Sequence, residues 1–251
     1  MEDRTHYNVR VNSATAERLL DLNRRFYVER GRDFSETRLR LQPGVRRVLK
    51  PLRGDESILD LGCGNGALAR ELSQRGHRGR YMGLDFSIPL LEIAKAEVYS
   101  FPARFARVEL PLWNTADLVA GNDDGWSLIV AFAVLHHIPG RERRVALLSR
   151  VRRQLSRDGS FIHSNWQFTA SPRFQQRIQP WTGAGLDALQ VDAGDHLVDW
   201  RRGGNALRYV HEFNEAELAD LASESGFAVA ETFYSDGADH RTGLYQTWRP
   251  A

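Results

Sequence analysis

The stretch 57–75, SILDLGCGNGALARELSQR, limits the fold more than any other part of this 251-residue chain. Ile58, Leu59 and Leu61 predict a short apolar strand, with Asp60 near its carboxyl end. Gly62, Gly64 and Gly66 follow at alternate positions, with Cys63 and Asn65 between them, and Ala67 to Arg75 reads as the helix leaving the turn. Alternate glycines let the backbone reverse sharply and let a ligand approach where a Cβ would collide. A strand, a glycine turn and a helix in that order belong to an open α/β sheet, whose ligands sit in the crevice beyond the strand ends.

A second acid stands where such a ligand needs one. Arg80 to Phe86 reads as the next strand, with Asp85 at its carboxyl end beside Phe86 and Ser87. A carboxylate there accepts two hydrogen bonds from the vicinal hydroxyls of a ribose. The same local sequence also suits a plain helix start, with Ser87 as N-cap and Pro89 in the first turn. The nicotinamide fingerprint G-x-G-x-x-G is absent, and Asp60 immediately before the glycines would repel a diphosphate. An acid in that place suits a cationic ligand.

D-x-G-x-G-x-G resembles the first motif of the class I S-adenosylmethionine-dependent methyltransferases, over about residues 55–165. The resemblance implies a doubly wound, mostly parallel seven-stranded α/β sheet of the Rossmann-like kind, with S-adenosyl-L-methionine as cofactor. The glycine turn would hold the methionine part and Asp85 the ribose. Strand three, read as Ala103 to Leu110, ends in Glu109-Leu110, and the family often meets the adenine amino group with an acid there. A surface glutamate is the alternative for Glu109. Trp126 to Ile138, WSLIVAFAVLHHI, is apolar on both faces, as a central parallel strand should be. Ala131, Phe132 and Ala133 would line the cofactor crevice, with His136 and His137 beside the substrate.

The His pair raises the question of a metal, but adjacent residues on an extended chain point apart, and no third ligand completes a recognisable spacing. One histidine positions the substrate or handles a proton, or both simply pack. Cys63 is the only cysteine, which excludes an internal disulfide. The net charge of +2 gives no strongly basic nucleic-acid footprint, and arginine supplies nearly all the positive charge. The N-terminus has no apolar signal core, and Leu128 to Leu135 is too short to span a bilayer, so a cytoplasmic protein without a membrane partner is expected.

Four segments are expected: an N-terminal helical cap (1–52), the cofactor-binding core (53–166), a substrate-side insertion (167–211), and a helix with a hairpin completing the sheet (212–251). In the cap, a helix over 13–30 should stop at Gly31, and Tyr27, Ser35, Thr37 and Arg38 are candidates for the pocket wall. Arg38 also reads as a solvated charge. Ile88 to Phe101 should be helical with Val98 on its apolar face, and Arg141 to Ser156 helical with its arginines outside. The segments 196–204 and 206–213 should face each other across a Gly203-Gly204 turn.

Three scattered signatures, FSETR, AVLHHIPGRERR and DWRRGG, are similar to those of the family that methylates the carboxymethyl group on the wobble uridine of tRNA. That similarity implies a tRNA carboxylate as acceptor, oriented by Arg38 with His136 or His137, and a small activator protein as partner. A small-molecule O- or N-methyltransferase and a non-catalytic cofactor-binding protein are the competing expectations.

Overall fold

A computed structural model of the protein describes residues 11–37, 40–113, 124–202 and 205–251. Arg38 and the Gly203-Gly204 turn lie outside the described residues. Two helices come first, α1 (Ser13–Glu36) and α2 (Pro43–Leu49). The core then alternates β1 (Ile58–Leu61), α3 (Ala67–Gln74), β2 (Tyr81–Asp85), α4 (Ile88–Ala96), β3 (Ala103–Arg107), β4 (Trp126–Phe132), α5 (Arg141–Gln154) and β5 (Leu155–Trp166). The segment after β5 carries α6 (Pro172–Gln175), β6 (Ile178–Gln179), β7 (Asp195–Trp200) and β8 (Ala206–His211). The chain ends in α7 (Glu215–Glu224), β9 (Phe227–Ser235) and β10 (Gly243–Pro250).

The central sheet has seven strands in the order β3-β2-β1-β4-β5-β10-β9. The first five pair in parallel, and β10 runs antiparallel to both of its neighbours. This is the doubly wound, mostly parallel sheet expected from the strand–helix alternation. Strand order reverses between β1 and β4, so the helices that follow them diverge and leave a crevice at the carboxyl ends. Alternation along β4 explains the layers. Ile129 and Ala131 pack with Leu147, Leu148 and Val151 of α5, while Leu128 and Val130 pack with Leu68 and Leu72 of α3. Each such fully buried leucine contributes about 1.5–3 kcal/mol.

Several local expectations are corrected. Gly31 does not stop α1, which runs to Glu36. A Cβ at Gly31 would lie 3.3 Å from the Ser87 hydroxyl and 3.5 Å from Leu90, so the glycine is the seam against α4. A glycine inside a helix costs only about 1 kcal/mol, which this close packing offsets. Helix α4 ends at Ala96 and leaves Val98 94% exposed. There the Tyr99 hydroxyl donates to the Ala94 carbonyl at 2.7 Å, giving the helix end a partner. Strand β3 stops at Arg107, and Leu110–Leu112 form a 3-10 turn.

Helix α5 departs most from the expectation of arginines outside. Arg144 is 1% exposed. Its guanidinium donates to the Ile138 carbonyl at 2.8 Å, the Tyr209 hydroxyl at 3.0 Å and Glu217 at 3.2 Å, and lies 3.7 Å from Asp195. His211 joins the same cluster, 2.6 Å from Asp195 and 3.0 Å from Glu217. Helical periodicity cannot reveal this, because the partners come from β7, β8 and α7.

Strands β6, β7 and β8 form a second, three-stranded antiparallel sheet. The outer edge of β8 is satisfied by a side chain. Asn23 of α1 accepts from the Tyr209 N–H at 2.8 Å and donates to the Tyr209 carbonyl at 3.1 Å, an amide standing in for one residue of a neighbouring strand. Among the described residues no helix is long and apolar enough to cross a membrane.

Candidate active site

A cavity of about 750 Å³ opens at the carboxyl ends of β1, β2, β4 and β5, walled by α1 and the small sheet. That volume lies within the roughly 300–1,000 Å³ of small-molecule sites. Asp60, Gly62, Cys63, Gly64, Asn65, Asp85, Phe86, Glu109, Leu110, Phe132, Ala133, His136 and His137 all border it. Gly66, Ser87 and Ala131 stand behind the wall. Ala131 is wholly buried in the core, and the Ser87 hydroxyl donates to the Tyr27 carbonyl at 3.2 Å instead of capping α4.

The glycine turn is built for an approaching ligand. Gly62, Gly64 and Gly66 have φ values of 72°, 55° and 75°, a region that penalises any side chain. A Cβ on Gly62 would strike Val134 at 2.5 Å, whereas one on Gly64 would meet nothing nearer than Leu90 at 4.0 Å. The first glycine therefore serves packing, and the second keeps a cradle clear. Asn65 links this turn to α1, donating to the Ser35 hydroxyl at 2.7 Å. Tyr27 and Ser35 reach the cavity as expected, while Thr37 closes α1 by donating to the Phe34 carbonyl.

Both acids face this turn. Asp85 accepts from the Gly64 N–H at 2.9 Å with one oxygen and from the Ser87 N–H at 2.8 Å with the other. Burial raises its pKa, and the N–H donors of Ser87, Gly64 and Phe86 pull against that rise. Asp60 accepts from the Tyr81 hydroxyl at 2.5 Å. Burial pushes its pKa up to about 7, opposed by the Tyr81 bond and assisted by the Asp85 charge. Two buried carboxylates beside an open glycine cradle fit a sulfonium nucleoside carrying an ammonium group, and would repel a phosphate.

The profile of a methyltransferase-domain family matches residues 34–232. The chain belongs to this methyltransferase family. Two solved structures of the same fold, the magnesium protoporphyrin IX methyltransferase of Synechocystis and the Burkholderia thailandensis enzyme below, hold S-adenosylhomocysteine. A putative methyltransferase of Encephalitozoon cuniculi is 30% identical over 208 residues, covering 82% of this chain and 87% of that protein. The tRNA (carboxymethyluridine(34)-5-O)-methyltransferase of Schizosaccharomyces pombe is 23% identical over 218 residues, covering 80% of this chain and 86% of that protein. Among solved structures, the 1,6-didemethyltoxoflavin-N1-methyltransferase of Burkholderia thailandensis superposes with a TM-score of 0.63 at 19% identity, covering 95% of this chain and 89% of that one.

The methyltransferase places its two histidines differently from the extended-chain expectation. Leu135–His137 form a 3-10 turn, which swings both rings to one side, with centroids 4.4 Å apart. His136 accepts from the Trp166 N–H at Nδ1, 3.3 Å away. His137 Nδ1 lies 3.0 Å from the Tyr209 carbonyl, which can only accept, so this nitrogen carries the proton. Its Nε2 then accepts from the Tyr27 hydroxyl at 2.9 Å. Burial, helped by the Arg208 charge and opposed by the Tyr209 carbonyl, depresses its pKa to about 3. His137 is neutral at physiological pH with both nitrogens engaged.

Ala133 carries a φ of 58°, held by its N–H donating to the Ser164 carbonyl at 3.0 Å and hydroxyl at 3.1 Å. The left-handed region costs a non-glycine residue about 1–2 kcal/mol, and such strain clusters at ligand sites. Glu109, expected at the adenine, has one oxygen bound by Arg24 of α1 at 2.8 Å. The sequence reading assigned no site role to Arg24, Asn165, Trp166, Trp200 or Arg208, which also border the cavity. The DWRRGG and ALRYVHEF segments carry Trp200 and Arg208, yet nothing local tells which of their side chains turn inward.

Proposed function

We propose that this methyltransferase esterifies a carboxylate, namely the carboxymethyl group on a wobble uridine of tRNA. The observation that carries this reading is that His137 makes a poor base, with both ring nitrogens engaged and its pKa held down at about 3 by burial. A phenol or amine acceptor needs a base near neutral pH, whereas a carboxylate is already ionised. The name of the fission-yeast relative supports the same acceptor. A cytoplasmic setting and a small activator protein belong to this reading.

In it, Gly62 to Gly66 would hold the cofactor, with Asp85 accepting from the ribose hydroxyls, Asp60 drawing the cationic methionine end, and Phe86, Glu109 and Leu110 holding the adenine. Cys63, Asn65, Phe132 and Ala133 complete its bed, with Gly66, Ser87 and Ala131 supporting from behind. The bound cofactor supplies a methyl group already electrophilic on a sulfonium. An ionised carboxylate acceptor would take that methyl group without giving up a proton, so the protein would need no base. The protein's part is to align acceptor and methyl, an effect worth up to about 7–11 kcal/mol of barrier. His137 serves this by fixing the Tyr27 hydroxyl at the cavity wall, and His136 by holding the Trp166 backbone.

The test is incubation with labelled cofactor and separated RNA, protein and metabolite fractions. Label should enter RNA and leave as volatile methanol under mild alkali, because methyl esters hydrolyse there. Alkali-stable label, or label confined to metabolites, would refute the acceptor assignment.

Asp60 gives a second expectation. An ionised carboxylate attracts the cationic methionine end and a protonated one does not. Cofactor affinity should therefore fall by about tenfold per pH unit below a pH of about 7. Asp60→Asn should bind weakly at every pH with that dependence flattened, as calorimetry from pH 5.5 to 8 (about that span) would show.

A further inference from the structure

We propose that the segment carrying α6 is a docking surface for single-stranded RNA, holding the nucleotides beside the one that is methylated. The inference rests on the RNA-acceptor reading above and names the surface which that reading requires. Arg173, Phe174 and Arg177 border the cavity, with Trp166 shortly before them at the end of β5. Arg173 is exposed, while Trp166, Phe174 and Arg177 are half-buried. A side chain that lines a cavity and is also exposed stands at its rim, where an entering ligand meets it.

Charge is the first property that fits RNA. Arg177 and Arg201 share one carboxylate, Asp199, at 3.0 and 2.7 Å, and Arg173 adds a third cation that makes no ion pair among the described residues. Glu212, at the start of the segment, is taken up by the N–H groups of Phe168 and Thr169 at 2.6 and 2.8 Å. Along the rest of the described rim the signs balance, with exposed Arg40 and Asp239 and with Glu17 bound by Arg143 at 2.8 Å. The surplus beside α6 is thus local, on a chain whose net charge is only +2. Phosphates are its complement, because each one met by an arginine releases a condensed counterion.

Aromatic rings are the second property. Trp166 and Phe174 stand edge to face with centroids 5.0 Å apart, and the Arg173 Cζ lies 5.7 Å from the Phe174 centroid. Arginines interleaved with part-exposed rings grip unpaired nucleotides, the rings stacking on bases while the cations track the backbone. A duplex hides its base faces, so the rings favour a loop. The wobble position lies in such a loop, with a neighbour on either side.

Two RNA probes test this, an anticodon stem-loop with 5-carboxymethyluridine at the wobble position and a blunt duplex of the same length. The enzyme with bound S-adenosylhomocysteine should prefer the stem-loop by about tenfold or more, with affinity falling as salt rises. Arg173→Gln and Arg201→Gln should each weaken stem-loop binding by about three- to tenfold. Each should also lower the slope of log affinity against log salt by about 0.7. Phe174→Leu keeps the packing against Val198 and Val210 but removes the ring. It should cost about five- to a hundredfold at an unchanged slope. S-adenosylhomocysteine affinity should stay the same in all three variants. Undiminished affinity and slope in both arginine variants, or equal binding of loop and duplex, would overturn the docking surface and leave the acceptor reading standing. Methyl transfer to protein or metabolites but not to the stem-loop would overturn both. Should Phe174→Leu fail to bind S-adenosylhomocysteine, the exposed Arg173 and Arg201 decide by the same criterion.

Discussion

Asp85→Ala is expected to weaken S-adenosylmethionine binding by about a hundredfold or more. Each hydrogen bond to a charged group contributes about 1.5–3 kcal/mol, and a ribose presents two hydroxyls to this carboxylate. The same substitution strips the Gly64 N–H and the Ser87 N–H of their acceptor. The glycine turn then loses one of its bonds to β2, keeping those from the Gly62 and Cys63 N–H groups to the Leu84 carbonyl, and the cradle loses charge along with part of its support. Asp85→Asn separates the two effects, because its single carbonyl oxygen can serve one donor but no longer presents a full charge. Calorimetry should rank the affinities as native, then Asn, then Ala. Equal affinity in all three would show that the ribose is held elsewhere.

Arg144→Ala should be the most destabilising single change outside the cofactor site, lowering stability by about 3–5 kcal/mol. It leaves Asp195 and Glu217 buried together with only His211 between them. Burial pushes the Asp195 pKa up, but the His211 hydrogen bond and the charges of His211 and Arg144 more than compensate, leaving it below the usual carboxylate range. A depressed carboxylate pKa contributes stability above the unfolded value of about 3.9 and loses it as pH falls through the folded one. The cost of Arg144→Ala should therefore be largest near neutrality and shrink in acid. Denaturant titration at neutral pH and below about pH 3, under the unfolded carboxylate value, measures both arms. A neutral-pH loss under about 1 kcal/mol would mean that the cluster carries no net charge pairing.

The parts of the molecule that were legible in the sequence are those decided by neighbours along the chain. The glycine turn, Asp85 at the end of β2, the doubly apolar β4 and the closing hairpin all follow from local spacing. Each lies near its expected place because strand and helix periods act over a few residues. What was not legible depends on segments far apart in sequence. Arg144 looks like any surface arginine until Asp195 and Glu217 arrive from β7 and α7. Gly31 looks like a helix stop until Ser87 and Leu90 come to occupy the space a Cβ would need. An extended chain would hold the two histidines apart, but the 3-10 turn at Leu135–His137 brings their rings together edge to face. Arg208 lacks any local mark, since its aromatic neighbours come from α1, β5 and β7.

The small sheet has a practical consequence for redesign. One of its faces owns a separate apolar nucleus of Phe168, Val198 and Val210, and its other face meets α1 through Tyr209 and Leu19. The Arg144 and Glu217 cluster, the His137–Tyr209 bond and the packing of Trp200 with Phe26 and Leu90 also hold it to the body. Under the acceptor assignment proposed above, exchanging the small sheet should change what receives the methyl group, provided the graft still offers an amide edge to Asn23 and an acid to Arg144.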